Sequence, residues 1–138
     1  MSNRKAYEYT KVYSEDRIFL EFFDFFDKLF NKLDKLSLKQ ALESIVSEAP
    51  NEFKEAFIKA IEIKDTDTFI KEYAVRACPI KHALPVIIHL LYHMNSYEEA
   101  IKASALIGGA VSDRNMLFGA IFAQVSEVPK DWINKVNI

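Results

Sequence analysis

The stretch Leu84-Pro-Val-Ile-Ile-His-Leu-Leu-Tyr-His-Met-Asn95 decides the fold. Apolar side chains fall on nearly every side of the helix it would form, interrupted by the polar tips of His89 and His93. A helix apolar all round has no face to give to water, so it must be covered by neighbours. Pro85 suits the first helical turn, where its missing N–H has no intrahelical partner to lose. The expected loop between Pro79 and Pro85 leads into it. The reading is a buried central helix over residues 84–95, inside an all-α, compact multi-helix bundle.

The flanking segments supply the cover. Downstream, Ser96 with Glu99 forms a capping box for a helix running to Leu106 or Ile107, which Gly108-Gly109 stops. A second nearly all-apolar helix is expected over about 113–126, and Pro129-Lys-Asp-Trp132 opens a short last one. Upstream, residues 15–34 place Phe19, Phe22, Phe23, Phe26, Leu29, Phe30 and Leu33 on one broad face, with Ser14 as N-cap. Ser37 and Gln40 form a capping box for a short helix that Pro50 ends. Asn51 caps a helix carrying Phe53, Phe57 and Ala60, and Asp65-Thr66-Asp67 reads as a turn and cap before another. No segment shows strand alternation or hairpin turn chemistry. The domain organisation is a single helical domain over 1–138: a Phe-rich covering helix within 1–36, and a bundle over 37–138.

Composition excludes whole classes of function. The 138 residues suit one domain. Lys plus Arg total 18 and Asp plus Glu 20, a net charge of -2, without the basic excess of a nucleic-acid footprint. No apolar run reaches a membrane span of about 18 residues, and Met1-Ser-Asn-Arg-Lys5 lacks a signal peptide's apolar stretch. One cysteine, Cys78, excludes an internal disulfide framework and suits a reducing, cytoplasmic setting. The only glycines are Gly108, Gly109 and Gly119, so neither a Walker loop nor a dinucleotide-binding turn is present.

Few constellations carry chemistry. His89 and His93 have a spacing that can hold a metal, but they read first as hydrogen-bonded core histidines. Asp65-Thr66-Asp67-Thr68 has oxygens suited to a hard cation, but Asp and Thr before a helix are ordinary N-cap residues. Cys78 beside Arg76 reads as a small buried hydrophobe. Arg76, Lys81 and Arg114 could hold a phosphate if the fold gathers them. Gly108-Gly109 before a helix N-terminus is a sensible anion site, and equally a tight turn.

The order of features from Cys78 to Trp132 resembles the C-terminal part of the ADP-ribosylglycohydrolase family, which includes the dinitrogenase reductase-activating glycohydrolases. The residues that carry it are Cys78-Pro-Ile-Lys-His-Ala-Leu-Pro85, Asn95-Ser-Tyr-Glu-Glu-Ala100, Ile107-Gly108-Gly109, Arg114-Asn-Met-Leu-Phe-Gly119 and Val128-Pro129-Lys-Asp-Trp132. In that family Gly-Gly precedes aspartates that ligate catalytic magnesium. Here Ala110 replaces the first aspartate, Ser112 stands at the second, and Asp113 falls at a threonine or alanine position. The family's N-terminal metal motif has no counterpart in residues 1–60.

The resemblance therefore implies a non-catalytic relative, with the Mg²⁺ lost and no catalytic residue. It would bind, to sense or sequester, an ADP-ribose-type nucleotide through Gly108, Gly109, Ala110, Ser112, Asp113, Arg114, Arg76 and Lys81. Losing the metal removes cations that neutralise the diphosphate, so binding needs a compensating Arg or Lys. Two alternatives stand beside it: a helical oligomerisation or protein-interaction module without ligand, and half of a split ADP-ribosyl hydrolase. The surplus of apolar helix surface points to a homo-oligomer or a partner protein. No nucleic acid or membrane partner is expected.

Overall fold

The computed structural model describes residues 17–73, 80–109 and 111–125. These residues form seven α-helices and no strand. They are α1 (Arg17–Leu33), α2 (Leu38–Ile45), α3 (Lys54–Glu62), α4 (Thr66–Tyr73), α5 (Ile80–His93), α6 (Tyr97–Ile107) and α7 (Val111–Val125), with a 3₁₀ turn at Val46–Glu48. Among these residues no helix is long and apolar enough to cross a membrane. The expected N-cap Ser14, Cys78, and the last helix from Pro129 lie outside the described residues.

Helix α5 is the centre. Every residue from Ala83 to Leu91 is buried, and α2, α3, α4, α6 and α7 all pack against it. It begins earlier than its sequence suggests. The segment expected as a loop between the prolines is in part helical, and Pro85 lies inside α5. The reason is local. The first four N–H groups of a helix have no intrahelical acceptor, so Pro85, the sixth residue of α5, removes one backbone bond near the start rather than breaking the middle.

The local signals place the caps. Ser37 Oγ accepts from the Gln40 N–H at 3.3 Å, and Gln40 Oε1 accepts from the Ser37 N–H at 3.2 Å, closing the capping box of α2. At α6, Ser96 Oγ accepts from the Glu99 N–H, but Glu99 reaches past the cap to the Asn95 N–H at 2.9 Å. Asn51 does not cap α3. Residues 51–53 form a turn in which the Phe53 N–H donates to the Pro50 carbonyl, and Phe53 takes the cap position without a side-chain bond.

Two packing expectations change. Helix α1 buries Phe22, Phe25 and Leu29, while Phe23, Phe26 and Phe30 are half-buried. Its aromatic stripe is wider than one face, so the partner sets the phase. Phe57 of α3 meets Phe25 edge-on at 5.2 Å and Phe22 at 6.1 Å. The helix also packs on α2 and α7. Helix α7, expected to be nearly apolar all round, is covered on one side only. Arg114, Phe118, Ile121 and Phe122 face inward, and Met116 is 76% exposed.

Candidate functional site

Glycine allows the turn between α6 and α7. Gly108 and Gly109 both have positive φ, 75° and 73°, a region L side chains avoid. The Gly108 N–H donates the last helical bond of α6 to the Ser104 carbonyl at 3.2 Å, and Arg114 adds donors at the same helix end. Its Nε donates to Ser104 Oγ at 3.0 Å, and one terminal nitrogen donates to the carbonyls of Ser104, at 3.0 Å, and Gly108. Arg114 is 3% exposed. Burial lowers its pKa, yet a guanidinium keeps its proton.

This corrects the expected role of Arg114. Its donors cap α6 from within rather than face a ligand. The favourable placement of a cation at a helix C-terminus accounts for the arrangement. Arg114→Met keeps the stem and removes the donors to the buried Ser104 hydroxyl and to the Gly108 carbonyl. The expected loss of stability is about 1–3 kcal/mol, read from urea unfolding. A change within error would mean that the guanidinium is not needed inside.

Of the other residues proposed for an anion, Gly108 and Gly109 form the turn. Arg76 and Ala110 lie outside the described residues, as do the side chains of Lys81, Ser112 and Asp113. The structure gathers a different set. A cleft of about 390 Å³ opens between Lys64–Asp67, at the start of α4, and Ala103, Leu106 and Ile107 of α6. The acidic run and the end of the helix entering Gly108-Gly109 thus share one cleft. Sequence separation hid this pairing, because α4 and α6 meet only through the packing of the bundle.

His89 and His93 lie on the side of α5 that meets α3 and the start of α4. His89 is fully buried. Its Nδ1 lies 2.9 Å from the Ala60 carbonyl, and the Thr66 hydroxyl lies 3.0 Å from its Nε2. A carbonyl only accepts, so Nδ1 carries the proton and Nε2 of the neutral ring accepts from Thr66. Phe69 stacks on the imidazole at 4.7 Å. His93 Nε2 donates to the same carbonyl at 3.1 Å. Burial pushes the His89 pKa down to about 4 and lowers that of His93. The two rings therefore tie the end of α3 to α5, and both His89 nitrogens are occupied.

Asp65 is an N-cap. Its Oδ2 accepts from the Thr68 N–H at 2.9 Å and the Thr68 hydroxyl at 2.6 Å. These bonds hold its pKa below the usual carboxylate value. Among the described residues no three His, Cys, Asp or Glu side chains gather for a metal ion. The magnesium pair implied by the family resemblance does not suit this chain: Ala110 has no side-chain oxygen, and Asp65 already caps α4. Comparison with protein-family models, curated proteins and solved structures found no match.

Proposed function

We infer that this is a non-catalytic nucleotide-binding protein that senses or sequesters an ADP-ribose-type nucleotide, in keeping with the resemblance to ADP-ribosylglycohydrolases. The observation that carries the reading is the cleft joining Lys64-Asp-Thr-Asp67 to the last turn of α6. Its two walls differ in kind. Ala103, Leu106 and Ile107 offer an apolar surface for a base, and Asp65, Thr66 and Asp67 offer oxygens for sugar hydroxyls. Lys64 is the compensating cation that binding without a metal requires. With Arg114 turned inward, it takes over the phosphate contact at the mouth.

A thermal-shift series with ADP-ribose, NAD, ADP and AMP, each with and without Mg²⁺, tests this. A ligand at a hundredfold excess over Kd adds about 2.7 kcal/mol to the folded state. The expected result is a metal-independent rise with ADP-ribose that Leu106→Glu removes. No rise with any of the four would end the nucleotide reading.

A second reading rests on a separate observation. Leu106 is 89% and Met116 76% exposed, on the helices either side of the Gly108-Gly109 turn. Exposed apolar side chains on adjoining helices favour contact with a second copy of the chain. Light scattering across a concentration series would show a dimer that Met116→Glu dissociates. A monomer throughout would end that reading.

A further inference from the structure

We draw no further inference here: the strongest candidate, the groove of about 290 Å³ lined by Leu38 of α2, Leu91 and Met94 at the end of α5 and Phe122 of α7, is an unpartnered apolar face, and nothing in the structure shows what covers it.

Discussion

Phe57→Ala is expected to lower the unfolding free energy by about 3–5 kcal/mol, the range for truncating a buried phenylalanine. Phe57 is fully buried and is the contact on which α1 and α3 converge. Its ring meets Phe25 edge-on at 5.2 Å and Phe22 at 6.1 Å, and Phe22 in turn meets Phe53 at 5.1 Å. Aromatic pairs in these arrangements add about 0.5–1.5 kcal/mol each beyond burial. Removing the ring opens a cavity walled by residues of two helices, and neither helix can close it without losing its remaining neighbours. A domain of this size is stable by about 5–15 kcal/mol, so the variant would lose a large share of that total. Phe57→Leu refills much of the volume and should cost less. Phe26→Ala, at a half-buried position, should cost less than half as much. Urea unfolding of the three variants gives the ranking. A loss below about 1 kcal/mol for Phe57→Ala would show that α1 is not seated on α3 in solution.

Helix content and most caps were legible because they depend on residues three or four apart. Ser37 and Gln40 satisfy each other across one turn, and Asp65 satisfies Thr68 in the same way. The burial of α5 was legible because no side of residues 84–91 could face water. The phase of α1 was not, since Phe22, Phe23, Phe25, Phe26 and Phe30 offer several equivalent stripes and only the Phe57 ring chooses among them. Arg114 was misread for a different reason. A guanidinium near Gly-Gly and a helix N-terminus has the composition of an anion site, yet the same fork also suits the carbonyls at the end of a Gly-terminated helix. Nearest-neighbour chemistry could not separate the two, because the choice depends on whether α6 and α7 pack tightly enough to exclude water. The cleft was hidden for the same reason. Lys64–Asp67 and Leu106 lie some forty positions apart, and only α5, packed against both α4 and α6, brings them together.

Acidification should destabilise the protein by about 3 kcal/mol between pH 6.5 and pH 4 through His89 alone. The sign follows from which form the fold prefers. In the unfolded chain the imidazole titrates near 6.5, and in the folded protein burial holds it at about 4. Between these values the unfolded state binds the extra proton, so each step down in pH favours unfolding. The stabilisation is complete above 6.5 and is lost once pH falls through the folded value. A separation of about 2.5 units at about 1.4 kcal/mol each gives the magnitude. Asp65 opposes the shift electrostatically and His93 adds to it. His93, whose pKa is also lowered, contributes loss of the same sign. Asp65 does so only below the ordinary carboxylate range, because its folded pKa is depressed by Thr68. The windows are therefore separable. His89→Gln offers an amide that donates to Ala60 and accepts from Thr66 without titrating, so its stability should lose most of the slope between pH 6.5 and 4 while keeping the fall below. Urea midpoints of the two proteins across that range measure the difference. A wild-type profile as flat as that of the variant would place the His89 ring in water and break the link between α3, α4 and α5 on which the cleft depends.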